Sequence, residues 1–209
     1  MKTFIAFAPQ QPEGKLQLSH YIPQGNTRLE YGETRFPIMP VINGYADPGE
    51  QIHVILVVQD HDHCRHNETY FRQELEALMA RKNLSAWTAA EDGSLYDRVE
   101  VPYDDAVSAH IQTLQKLIDM IRDGDDLHAC ITYGSKPAPM VELMALRYAR
   151  QIKKGCYISC IVYGQYDWDK KQMKLYDETA LAHLDDIVRM LAEYRDPNPK
   201  ATLDRIIAM

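Results

Sequence analysis

No stretch of this 209-residue chain approaches the ~18 consecutive apolar residues that a membrane-spanning helix needs. The segment from Met1 to Pro9 also lacks the basic and apolar regions of a secretory leader, so a cytoplasmic protein without a membrane partner is expected. Cysteines number only four and form no CxxC pair. Cys130, Cys156 and Cys160 lie in apolar runs, where a thiol behaves as a small buried hydrophobe, and disulfides are not expected. Positive charge is short as well. A formal net charge of −7 argues against wholesale binding of duplex nucleic acid, which needs a basic surface, but leaves room for a small anion held by a few local donors.

Several motifs are missing too. The chain holds no GxxxxGK[ST] loop and no GxGxxG fingerprint after any apolar run, so ATP hydrolysis and hydride transfer lose support and no cofactor is expected. GxSxG, HExxH and Cys/His signatures are also absent, which removes local support for hydrolysis by a standard nucleophile.

What is present reads as one medium-sized domain with a full core. Thr3 to Ala8 and Ile52 to Val58 are short, apolar on both faces and bounded by polar or proline-containing segments, as buried strands are. The intervening forty or so residues hold too many prolines and glycines for one long helix, and "HYIPQGNTRLEYG" suits a hairpin turning near Gln24 to Asn26. Helical spacing predicts helices over about 67–82, 105–122 and 138–152 and a last one carrying Leu181, Leu184, Ile187, Val188 and Leu191. Strands are expected at 97–101, 127–132 and 156–164. This alternation implies a Rossmann-like α/β domain over 1–195, a mostly parallel sheet with helices on both faces. Pro197 and Pro199 break the last helix, leaving 196–209 as a tail or linker with at most one amphipathic turn at Leu203, Ile206 and Ile207.

In such sheets ligands sit beyond the carboxyl ends of the strands. "ITYGSKPAP" stands at such an end and opens a helix. Gly134 lets backbone approach a ligand, while Ser135 and Lys136 add a hydroxyl and a full charge beside a helix N-terminus, a combination that suits phosphate. The alternative is a turn and cap with Lys136 in solvent. Pro9, Gln10 and Gln11 follow the first strand and Tyr163 and Gly164 end another, so both fall on the same edge. The second conspicuous cluster, "DHDHCRH" from Asp60 to His66, offers ligand types for zinc but no second ligand pair at matched spacing; a polar loop capping the next helix through His66 or Asn67 is the alternative.

"CITYGSKPAPMVELMALRYA" resembles the signature after the fourth strand of CRISPR-associated Rossmann fold (CARF) domains, which sense cyclic oligoadenylates. Thr132, Gly134, Ser135 and Lys136 match it, and Tyr163, Gly164, Asp177 and Thr179 match positions further on. One branch of that family has Asp-x-Thr-His-Gly followed by an aromatic residue and Arg; here Cys130, Tyr133 and Lys136 stand at those places, which removes the acid and the histidine. The resemblance implies a CARF-type homodimer with half a site per chain, in which Pro9, Gln10, Gln11, Thr132, Tyr133, Gly134, Ser135, Lys136, Tyr163 and Gly164 face a ring of four or six adenylates. It implies a stand-alone sensor of type III CRISPR antiviral signalling. A metal-independent ring nuclease is the alternative, with Lys136 and Ser135 as its catalytic pair; a metal-binding α/β protein using the 60–66 cluster is another.

Overall fold

The computed structural model describes residues 1–208. In chain order its elements are β1 (Lys2–Phe7), β2 (Ser19–Gln24), a 3-10 turn (Thr27–Leu29), β3 (Glu33–Thr34), α1 (Ile38–Tyr45), β4 (Gln51–Gln59) and α2 (Asp62–Lys82). There follow β5 (Ser85–Trp87), β6 (Asp97–Val101), α3 (Val107–Met120), β7 (Asp126–Cys130), α4 (Ala138–Ile152), β8 (Tyr157–Asp167), β9 (Gln172–Asp177), α5 (Thr179–Glu193) and α6 (Pro199–Ile207).

All nine strands join one sheet in the order β3-β2-β9-β8-β7-β1-β4, with β5 and β6 sharing the outer edge of β4. From β8 to that edge every pairing is parallel. β9 reverses against β8, β2 runs parallel to β9, and β3 reverses again, so the sheet is mixed but mostly parallel. Burial explains the centre. Phe4 and Ile5 of β1 and every residue of β4 from Ile52 to Val58 are buried, because helices cover both faces of these strands. One face packs on α1 and α2 through Ile38, Met39, Ile42, Phe71, Leu75 and Leu78. The other packs on α3, α4 and α5 through Leu117, Ala145, Leu146, Ala149 and Ala182. Among the described residues no helix is long and apolar enough to cross a membrane.

The sheet is Rossmann-like in the sense expected, and the chain differs from expectation in four places. The hairpin expected about Gln24 to Asn26 is wider than a tight turn: β2 continues through Gln24, pairs mainly with β9, and meets β3 antiparallel at only two positions, across the 3-10 turn. Within the proline-rich region lies α1. Pro37 is its N-cap and Pro40 falls in its first turn, where a proline has no i−4 carbonyl to clash with and no helical hydrogen bond to lose. Gly44 lets the 3-10 turn close over this helix, since a Cβ there would lie 2.0 Å from the Arg28 carbonyl oxygen. β8 runs on to Asp167 and returns as β9, making a hairpin rather than a loop. The tail contains a nine-residue helix, α6, which starts with Pro199 and buries none of its residues.

β1 leads to β4 on one side, and β7 arrives on its other side. The order of the strands thus reverses between β1 and β7, the crevice in which open α/β sheets hold ligands.

Candidate functional site

The loop from Ile131 to Pro137 forms one wall of that crevice. Gly134 adopts φ +103°, a region that residues with a side chain rarely enter, and a Cβ there would sit 2.6 Å from the Ala138 Cβ and 3.1 Å from the Phe7 ring. Glycine is therefore favoured at this position twice over, by backbone angle and by space.

The donors lie elsewhere than the helix-terminus argument places them. Pro137 and Pro139 carry no N–H, and the Ala138 and Met140 amides bond to the Ser135 and Pro137 carbonyls at 2.9 and 3.0 Å, so the first turn of α4 offers few donors. The loop itself is different. Among the described residues the amides of Tyr133, Gly134, Ser135 and Lys136 donate to no protein acceptor, whereas Ile131 before them donates to the Val162 carbonyl at 3.0 Å. Consecutive unpaired amides around a positive-φ glycine make the concave donor arrangement that attracts anions, and Lys136 stands exposed beside them.

Other expected site residues have duties in the fold. The Thr132 hydroxyl oxygen accepts the Gly164 N–H at 2.9 Å and so ties the loop to β8. Tyr133 turns inward: its hydroxyl donates to the Arg35 carbonyl at 2.8 Å and lies 3.4 Å from that of Tyr21. Burial holds the Tyr133 phenol well above its ordinary range and pushes that of Tyr21 up to about 12. A side chain so placed offers a ligand only its backbone. Gly164 makes room for Tyr21 and Pro37, since a Cβ there would come within 2.9 and 3.0 Å of them. Tyr163 points to the opposite face, toward the α4 and α5 side. Asp177 accepts the Thr179 amide at 3.0 Å and the Asn26 side-chain amide at 2.6 Å, and Thr179 accepts the Ile161 N–H at 2.8 Å. Both therefore fasten the start of α5 to the sheet.

Pro9, Gln10 and Gln11 form the facing wall, held by a residue that sequence reasoning assigned only as an alternative helix cap. Asn67 is buried within α2, and its side-chain amide donates to the Pro9 and Gln11 carbonyls, each at 2.9 Å. Gln10 donates to the Gln59 side-chain carbonyl at the end of β4. Gln10 and Ser135 meet across a cavity of about 110 Å³, whose remaining lining is Gln59, Tyr103, Asp104 and Asp105. These last four were not anticipated, although they too follow parallel strands on this edge. The crevice thus has a donor side at 133–136 and an acidic side at 104–105.

All four cysteines are free and buried, and burial pushes the Cys130 and Cys160 thiols up to about 12 and raises that of Cys64, which disfavours the thiolate form at these three. Most side chains of 60–66 have partners within the fold. His61 caps α2 by accepting the His63 N–H at 3.2 Å, which corrects the expected cap at His66 or Asn67. Asp60 and Asp62 pair with Arg65, and Cys64 enters the core. Among the described residues no three His, Cys, Asp or Glu side chains are grouped to hold an ion.

No protein-family model matches the chain, and no curated protein matches it.

Proposed function

We propose that this protein binds a cyclic oligoadenylate at the crevice between β1 and β7, as a stand-alone CARF-type sensor of type III CRISPR antiviral signalling. The observation that carries the reading is the run of four unpaired amides, Tyr133 to Lys136, wrapped around a glycine at which any side chain is strained and ending in an exposed lysine. Such a loop meets one phosphate of a ring through backbone donors and a mobile charge.

A ring of four or six nucleotides has two-fold symmetry and presents each phosphate twice, so a homodimer with half a site per chain suits it. The surface of α4 supports that assembly. Met140, Met144, Tyr148 and Ile152 recur every four residues and are all exposed, although their helix already buries its other face. Beside Met140, an apolar groove of about 250 Å³ runs between α4 and α5, lined by Ile131, Pro139, Leu143 and Leu181. A second copy seated on this stripe brings the two 133–136 loops toward a common axis, because Met140 lies one turn after Lys136.

The second reading is a metal-independent ring nuclease. It is favoured by the Ser135 hydroxyl, which lines the cavity next to Lys136. In that chemistry a ribose 2′-hydroxyl gives its proton to water as its oxygen attacks the adjacent phosphorus, the bond to the 5′-oxygen breaks and that oxygen takes a proton from water, leaving a 2′,3′-cyclic phosphate and a 5′-hydroxyl. Ser135 would orient the phosphate and Lys136 would offset its developing charge.

Incubation with cyclic tri-, tetra- and hexa-adenylate in EDTA separates these readings. Tight binding of an intact ring, lost about tenfold or more in Lys136→Ala, is the result expected for the sensor. Linear product over many turnovers assigns the nuclease, and no binding of any ring overturns both. Sedimentation of Met144→Glu checks the dimer: the variant is expected to run as a monomer.

A further inference from the structure

We propose that α2 sets the width of the crevice: one stripe of this helix, Asn67, Tyr70, Phe71 and Glu74, holds both walls, with Asn67 and Glu74 as the positioning residues. That the crevice takes a ring of adenylates rests on the reading above; the attachment of its walls to α2 rests on hydrogen bonds and does not depend on the ligand.

The stripe follows from spacing. Positions 67, 70, 71 and 74 are three or four residues apart and so share one face of the helix, spread over about 10 Å along its axis. Asn67 and Glu74 are its polar members, and both are largely hidden: Asn67 is 1% exposed and the Glu74 side chain 16%. Burying such groups costs free energy unless they are hydrogen-bonded, so their partners are informative. The Asn67 side-chain amide donates to the Pro9 and Gln11 carbonyls, while its own carbonyl oxygen is buried without a partner. Both donations therefore go to the wall, and they bracket Gln10, the residue that meets Ser135 across the cavity.

Glu74 holds the facing wall through one intermediate residue. Its carboxylate accepts the Arg35 backbone N–H at 3.1 Å, the Arg35 guanidinium at 2.8 Å and the Thr34 hydroxyl, bonds of the stronger kind because one or both partners are charged. The Arg35 guanidinium also lies over the Tyr70 ring, 4.4 Å from its centroid, and Phe36 meets Phe71 edge-on at 5.2 Å. Residues 34–36 are thus fastened to α2 by charge, stacking and packing together. The Arg35 carbonyl then accepts the Tyr133 hydroxyl at 2.8 Å. Tyr133 supplies the first of the four unpaired amides, so the donor loop hangs from α2 through a single residue. The two walls keep their separation while both attachments hold, and losing either one lets its wall move alone.

The test is a double-mutant cycle of Glu74→Gln and Tyr133→Phe in the full-length protein, read by the NMR signals of the Gly134, Ser135 and Lys136 amides and by titration with cyclic tetra-adenylate. Glu74→Gln alone is expected to shift all three amides, none of which bonds to Glu74, and to weaken ring binding about fivefold. In Tyr133→Phe the link is already cut, so adding Glu74→Gln is expected to shift them no further and to change affinity less than about twofold. Equal effects in both backgrounds would mean that Glu74 only stabilises the fold, and would overturn the proposal. If Glu74→Gln does not fold, Tyr133→Phe reads the link from the loop end: the Arg35 guanidinium signal is expected to move, and an unmoved signal overturns the link. Asn67→Ala is expected to shift the Gln10 amide and leave the three loop amides in place; an unmoved Gln10 signal overturns the other attachment. Amides that shift as expected without ring binding sustain the role of α2 and remove the ring. Ring binding with unmoved loop amides in Glu74→Gln overturns the role of α2 alone.

Discussion

Two junctions on the same edge of the sheet lead from a buried parallel strand into a helix, 60–66 after β4 and 131–137 after β7, and they treat their polar groups in opposite ways. The first is crowded with ligand-type side chains, and the fold uses nearly all of them. His61 caps the helix, Asp60 and Asp62 hold Arg65, and Cys64 is core. The second carries a plainer set of side chains, of which Thr132 and Tyr133 are engaged internally, yet it leaves four backbone amides unpaired. A binding site is better recognised by the hydrogen-bonding groups the fold leaves unpaired than by the chemical appeal of the residue types.

The largest expected effect comes from breaking the amide loop at its glycine. Gly134→Ala forces a Cβ toward Ala138 and Phe7 and a side-chain residue into φ +103°. The combined strain and overpacking cost on the order of 3 kcal/mol. Thermal unfolding is then expected roughly 6–12 °C lower for a chain of this size, with loss of ring binding. A variant that unfolds at the same temperature would mean that the loop is not held in this conformation.

Beneath the loop lies a buried cost. Glu142, one turn into α4, is fully buried, and neither carboxyl oxygen has a hydrogen-bond partner. Burial raises its carboxyl well above the ordinary value of 4.5. The folded protein therefore holds this proton more tightly than the unfolded chain does. The contribution favours the fold below the unfolded value and is lost as the pH rises through the raised folded one. Glu142→Met is expected to stabilise the protein by about 1–3 kcal/mol above that range, because an apolar side chain of similar length replaces an unsatisfied polar group. Urea unfolding across pH, compared between the two proteins, gives the check: the gap is expected to widen as the pH rises and to narrow toward acid. A constant gap would show that Glu142 does not titrate in the fold.

The contrast between the junctions was only half legible in the sequence. Continuous apolar runs announce β1, β4 and β7, and a glycine followed by serine and lysine after β7 marks the loop. The two prolines that remove donors from the start of α4 were equally visible. Their effect depends on which amides pair in three dimensions, and a local pattern does not contain that. α1 escaped because Pro37 and Pro40 read as breakers, although both sit where a helix tolerates them. β9 escaped because only Leu175 of it is buried, which leaves a short segment with little alternation to see. Gln59, Asn67 and the acids at 104–105 belong to the crevice through tertiary placement: a polar residue at the end of a strand or inside a helix has no local signature of what it will face. The ligand types at 60–66 had a strong local signature, and tertiary contacts assigned them to capping, pairing and packing.

The smallest expected effect tests that last assignment at its most permissive. Arg65 pairs with both Asp60 and Asp62, but its side chain is 45% exposed and those of the two acids more so, and water and salt screen such pairs. Arg65→Ala is therefore expected to lower the melting temperature by no more than roughly 1–2 °C. The same substitution frees two carboxylates among His61, His63 and His66, so it is the change that would best reveal a latent metal site. A latent site would make the variant bind one equivalent of zinc and melt higher with zinc than with EDTA, since an ion that binds only the folded state stabilises it. The expected melting temperatures are equal in zinc and in EDTA, because Cys64 stays in the core and His61 remains turned back on its own helix. A zinc-dependent rise would place this junction with the loop after β7 as a second built site, and the contrast drawn between them would fall.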